Sequence, residues 1–193
     1  MKKATLLLGA FLTLFLISCE GPAGPPGFEG IPGQDGFDGQ NGADGIQGQV
    51  FEVDGINFDY NPDSNLQSTL INFADNTDFE VFESDAILVY RFDGEIELDD
   101  GSFANAWSLI PQNFFVAEGT IQYTTAHNFI DVEIFIDGNF DLANLSADFT
   151  QNQFFRVVIL PSSFLTSKMD KSNIGSVMSS LGISENDVRK IKQ

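Results

Sequence analysis

Phe129-Ile130-Asp131-Val132-Glu133-Ile134-Phe135-Ile136 is the run on which the reading of the fold turns. In an extended chain Asp131 and Glu133 share one face while Ile130, Val132 and Ile134 share the other, the period of a strand with one wet and one buried side. Downstream, Phe154-Phe155-Arg156-Val157-Val158-Ile159-Leu160 is nearly continuous in apolar residues, which predicts a central strand covered on both faces. Outward from these two, strands are expected at 49–53, 66–73, 79–82, 86–92, 95–98, 106–110, 114–116 and 120–125. Turn residues separate them at Asp54-Gly55, Asn61-Pro62-Asp63, Asp93-Gly94, Asp100-Gly101, Glu118-Gly119 and Asp137-Gly138. Asp-Gly pairs between apolar runs favour tight hairpins. The expectation is a mainly β head over residues 51–168, an antiparallel β-sandwich or small barrel.

The last stretch, 169–193, changes period. Ile174, Val177, Met178 and Leu181 recur at helical spacing and close on Gly182 followed by Ile183, a helix C-cap pattern. Ser184 with Asp187 reads as a capping box opening a second short helix over Val188 and Ile191. Each helix has a single apolar stripe, so both are expected to pack on the edge of the sandwich.

Upstream of the head the sequence is of another kind. Glycine recurs every third residue from Gly21 through Gly48, ten consecutive Gly-X-Y triplets over 21–50. A strict period of three is the signature of the collagen triple helix, where only glycine fits at the axis on which three chains meet. Ten triplets would make a rod about 90 Å long. Its composition makes it a weak one. Pro22, Pro25, Pro26 and Pro32 are the only imino acids in the array, and Glu29, Asp35, Asp38 and Asp44 have no basic residue beside them. Three aligned chains would bring like charges together, so the head is expected to hold the chains in register. A flexible glycine-rich tether on a monomer is the alternative.

The first 18 residues have two lysines, an apolar run too short to span a bilayer, and small residues before Cys19. Leu16-Ile17-Ser18-Cys19 resembles the lipobox of bacterial lipoproteins, which implies acylation of Cys19 and a membrane-surface anchor through it. Cys19 is the only cysteine, so the chain has no intramolecular disulfide. An ordinary signal peptide with an incidental cysteine is the alternative. The resulting layout is signal peptide 1–18, acylated cysteine and stalk 19–50, head 51–168 and C-terminal helices 169–193.

Charge narrows the partners. Removal of Lys2 and Lys3 on maturation takes the formal charge from −19 to −21, and Arg91 and Arg156 are the only basic residues between 20 and 167. Such a body excludes nucleic acid and anionic headgroups as partners. Both arginines interrupt apolar strands, and a half-buried guanidinium needs a carboxylate, so both are expected to be paired across strands; the alternative is that one grips an acidic or sugar ligand.

No catalytic constellation emerges, and the head is expected not to be an enzyme. His127 is the only histidine, in a stretch that reads as a turn, which excludes multi-histidine zinc sites. Asp137-Gly138-Asn139-Phe140-Asp141 copies the opening of a calcium loop, but Leu142 stands where glycine is required and Asp148 where glutamate belongs. It reads as a hairpin turn, and no cofactor is expected, calcium being the one ion considered. Asp35, Asp38, Asn41 and Asp44 recur along the stalk as a solvated surface or, again, as calcium oxygens. Trp107 and the phenylalanines serve as core or as a sugar-stacking platform.

Leu16–Cys19, the glycine array, Trp107-Ser-Leu-Ile-Pro-Gln and 152–161 together resemble the collagen-like repeat lipoproteins of Gram-negative bacteria. The resemblance implies an outer-membrane location, a homotrimer through the stalk, and a β-rich head displayed for structural or adhesive interaction. A carbohydrate-binding accessory lipoprotein with an aromatic face is the other expectation.

Overall fold

Residues Gln153–Leu160 form the strand β9, and every one of them except Phe154 is buried. A strand with no wet side must lie between two others and under a cover on each face, and β9 does. The computed structural model describes residues 48–77, 80–165 and 168–192. Ten strands run through it: β1 (Gln49–Ile56), β2 (Asp59–Asn61), β3 (Leu66–Asn72), β4 (Ala86–Glu97), β5 (Phe103–Leu109), β6 (Gln112–Val116), β7 (Gly119–His127), β8 (Asp131–Gly138), β9 and β10 (Arg189–Lys192). They make two five-stranded sheets, β10-β1-β9-β4-β5 and β2-β3-β8-β7-β6, antiparallel throughout except for the parallel pair β1 and β10. The expected signal peptide, Cys19 and most of the glycine array lie outside the described residues.

The sheets share one apolar core. Phe51, Val53, Val89, Phe155, Val157 and Ile159 of the first sheet join Ile71, Ile121, Tyr123, Val132, Ile134 and Ile136 of the second in a single buried cluster. The fold is mainly β and is consistent with a sandwich. Alternation in β8 is as expected from Asp131 onward: Val132, Ile134 and Ile136 point inward at 0 % exposure while Glu133 and Asp137 are exposed.

Several local expectations need correction. Ile130 is not on the buried face. The strand begins at Asp131 because the Asn128 side chain accepts hydrogen bonds from the backbone N–H groups of Ile130 and Asp131, curling Phe129-Ile130 outward. Asp93-Gly94 is no hairpin: β4 runs straight through it as a bulge, with Gly94 at φ 114° and the register shifting between Phe92 and Gly94. Asp54-Gly55 makes a second bulge, whereas Asp137-Gly138 does end β8, with the chain bending at 139–140. Phe73 opens a short helix α1 (Phe73–Asn76), capped by Asn72, instead of closing β3. The expected strand at 79–82 is irregular over its described residues 80–82, held to the core by Val81.

The tail also differs. The helical stripe forms α3 (Ile174–Leu181), after a short α2 (Ala147–Thr150), and it ends as expected with Gly182 left-handed at φ 69°. It packs on the outer face of the first sheet, not its edge: Val177, Met178 and Leu181 cover Val50, Tyr90, Val158 and Leu160. The Ser184/Asp187 capping box is present but starts only a single 3₁₀ turn, Glu185–Asp187. Ile191 then lies in β10, because the open edge of β1 offers backbone partners that a helix of so few residues cannot match. Gln49 and Val50, assigned to the stalk, pair with Ile159 and Val158, so the tenth triplet is already part of the head.

Candidate functional site

The outer face of the first sheet is divided along its length. Near Gly48, where the chain enters the described fold, α3 seals it. Towards the β4–β5 hairpin three aromatic residues stand side by side on adjacent strands, the first of them, Trp107, still packed against the α3 cluster. Phe92 on β4 lies directly opposite Trp107 on β5, with ring centroids 5.2 Å apart at 55°, and 5.8 Å from Phe154 on β9 at 57°. All three are half-buried. Beyond the row the hairpin continues past the sandwich, pairing Glu95 with Asn105 and Glu97 with Phe103. By alternation these four side chains extend the face that carries Phe92 and Trp107. Phe103 is 64 % exposed, and Ile96, on the other face of the hairpin, is 57 % exposed. Aromatic π-faces beside carboxylate and amide oxygens suit a ligand with apolar C–H faces and hydroxyl donors.

A buried charge cluster sets the row. Arg156, only 1 % exposed, donates from Nε to Glu52 at 3.0 Å and through both terminal nitrogens to Glu185 at 2.8 and 2.6 Å. Its guanidinium carbon lies 4.3 Å from the centroid of the Trp107 ring. One face of the indole is therefore occupied by a fixed cation, which locks its orientation. Burial works against the charge on Arg156, but the bonds it donates to Glu185 and Glu52 more than offset this and raise its pKa. Those same bonds hold the Glu185 carboxyl below its ordinary range.

Arg91 is paired too. It bonds Asp93 at 3.0 Å and Gln153 at 3.0 Å, and its guanidinium carbon sits 5.1 Å from the Phe114 ring centroid and 5.0 Å from that of Tyr123. Both arginines pair with carboxylates as expected, Arg156 with Glu52 across strands, but Arg91's carboxylate is on its own strand and its cross-strand partner is the Gln153 amide. Neither is a free ligand grip. Tyr123 and Tyr90 have their pKa pushed up to about 12, chiefly by burial.

His127 ends β7, exposed, where it shares an open cavity of about 390 Å³ with Phe82, Phe129, Glu83 and Asp85. The oxygens of the calcium-like loop serve the fold: Asp141 caps Ala143 at 2.9 Å and Asn139 accepts from the Thr120 N–H at 2.8 Å. Among the described residues no cluster of His, Cys, Asp and Glu is placed to hold a metal ion. Cys19, expected to be lipidated, lies outside them. The sequence singled out Trp107 but not its neighbours, since the row exists only once the bulge at 93–94 has set the β4–β5 register. No protein family, curated protein or solved structure matches the chain.

Proposed function

We propose that this chain is a lipid-anchored, collagen-like surface protein of the bacterial outer membrane, a non-catalytic homotrimer that displays its β head for structural or adhesive contacts. The observation that carries this is the unbroken glycine period beginning two residues after Leu16-Ile17-Ser18-Cys19 and running to Gly48, one residue before β1. The lipobox pattern supplies the anchor and the period supplies three-chain winding. Sedimentation equilibrium of the unlipidated mature chain beginning at Glu20 tests the assembly, with circular dichroism for polyproline-type winding. A trimer with a triple-helical melt is expected. A monomer at micromolar concentration overturns the assembly. Labelled fatty acid incorporated by the wild type, and not by Cys19→Ala, tests the anchor.

The aromatic row favours a second reading, in which the head binds carbohydrate through Phe154, Phe92 and Trp107, with Glu95 and Asn105 accepting hydroxyls. Trp107 is the only tryptophan, so its fluorescence reports on this face directly. Titration with a panel of soluble polysaccharides should shift its emission, and no shift across the panel argues against the reading.

A further inference from the structure

Four large apolar residues crowd the end of the sandwich where the chain enters at Gly48: Leu70 at 55 % exposure, Ile130 at 50 %, Phe129 at 46 % and Phe82 at 40 %. They form one surface. A cavity of about 220 Å³ is lined by Phe129 and Ile130, the 390 Å³ cavity by Phe129, Phe82 and His127, and a third of about 160 Å³ by His127 and Leu70. The projection of Phe129-Ile130 is built in. Besides the Asn128 turn, the Ile130 carbonyl accepts from the Phe73 N–H at 2.8 Å, and Asn128 Nδ2 donates to Asp131 at 2.8 Å. Large apolar residues exposed around adjoining cavities, with His127 and Asn128 between them, mark a contact surface.

Its position says what covers it. Helix α1 places Phe73 and Ala74 against Phe129 and Ile130, and it places Asn76 in a cavity of about 320 Å³ shared with Gly48, Gln49 and Val50. A four-residue helix spans about 6 Å, so the patch adjoins the point of chain entry. Three chains wound together keep their ends close to a common axis. Under the three-chain reading the residues next to Gly48 are the part of the described fold nearest in sequence to the glycine array.

We propose that this collar of Leu70, Phe82, Phe129 and Ile130 is the homotypic interface, occupied by a second copy of this chain, that registers the three chains of the stalk. The inference rests on the three-chain reading above. It assigns the registering role to named residues and leaves the aromatic row, at the other end, free for ligand. Glu80, Glu83, Asp85, Asp131 and Glu133 line the collar's cavities, so the copies approach against like charge and added salt should tighten association.

The test uses the unlipidated mature chain, which begins after removal of its one natural cysteine and so accepts single cysteine probes. Phe129→Ser with Ile130→Ser should raise the concentration at half-dissociation at least tenfold, while Ile96→Ser with Phe103→Ser leaves it unchanged. Phe129→Cys should be joined between copies by a short bismaleimide, and Phe103→Cys should not. Gly33→Ala with Gly36→Ala separates this inference from the one beneath it. Head association that survives a broken stalk and is lost with Phe129→Ser supports the collar. A trimer that is lost with the stalk, indifferent to the collar substitutions and not joined at Phe129→Cys, keeps the stalk reading and overturns the collar. Monomers throughout overturn both. Should the serine pair fail to fold by circular dichroism, the cross-link decides.

Discussion

Replacing Arg156 with methionine removes the centre of the charge cluster with little change in volume. Glu52 is then left with an 11 % exposed carboxylate whose remaining cation is Lys190 at 3.7 Å, itself 67 % exposed. Glu185, also 67 % exposed, returns to water at small cost. The penalty is therefore concentrated on Glu52. Breaking a buried pair by removing one partner costs about 3–5 kcal/mol, and the nearby Lys190 puts this case at the lower end, about 3 kcal/mol. For a chain of this size that lowers the melting temperature by about 6–12 °C. The second half of the prediction is the sharper one. Glu52→Met added to Arg156→Met removes the stranded charge, and apolar replacement of a whole buried pair is often neutral or better. The double variant should regain at least about 2 kcal/mol over the single. Urea unfolding read through Trp107 measures both, since the lost guanidinium lies 4.3 Å from that ring and native emission will also shift. A single-variant loss under about 1 kcal/mol, or a double variant no better than the single, would refute the account of Glu52 as a buried charge held by Arg156.

Three further outcomes are expected. Gly48→Ala should destabilise by about 1–3 kcal/mol, because its Cβ would sit 2.5 Å from Leu181 Cδ2 and 3.1 Å from the Ile159 carbonyl oxygen; a melting temperature within a degree of wild type contradicts this. Glu185 is held below its unfolded pKa by Arg156, so its contribution is present above the unfolded value of about 4.3 and is lost as pH falls through the folded one. Glu185→Gln should accordingly flatten the fall of the urea midpoint between pH 5 and pH 3, about the range where carboxylates titrate, and an unchanged slope counts against the pair. Phe92→Ala and Phe154→Ala should each weaken by at least tenfold any polysaccharide binding seen through Trp107 fluorescence, whereas Phe115→Ala, at 89 % exposure on β6, should not.

What could be read from the residues depended on how local the deciding interaction is. The alternation around Val132 and Ile134, the continuous run of β9 and the cap at Gly182 are set within a few residues, and all were legible. The Arg156 cluster was legible as a need for carboxylates but not as a choice among them, since Glu52 and Glu185 are 104 and 29 residues away. Asp54-Gly55 and Asp93-Gly94 misled because glycine at positive φ serves a bulge as well as a turn, and only cross-strand pairing decides between them. Asp100-Gly101 is the expected turn, within the hairpin loop 98–102, where Asp100 accepts from the Ser102 N–H at 2.9 Å. Ile191 was misplaced because the open edge of β1 lies 138 residues earlier in the chain, opposite Val53. The aromatic row shares that non-local origin. Its three residues come from three strands, Phe154 from one distant in sequence, and a bulge sets the β4–β5 register among them.

Gly48 joins the two halves of the account. It is the tenth glycine of the period, yet its own environment requires glycine for a separate reason: it is buried, with Leu181 and the Ile159 carbonyl where a Cβ would stand. The stalk pattern and the packing of the head therefore overlap on one residue, with no spacer between the ninth triplet and β1. A tether that served only to give reach would gain from a polar linker at this junction; here the glycine phase continues unbroken into the strand that pairs with both β9 and β10. In the proposed trimer the glycine phase and the strand β1 meet without intervening residues, which is the constraint an inserted linker would remove. Inserting a few glycine and serine residues between Gln47 and Gly48 relaxes that constraint. It should leave the fold intact by circular dichroism while lowering the melting temperature of the triple helix, and an unchanged helix melt would show that stalk and head assemble independently.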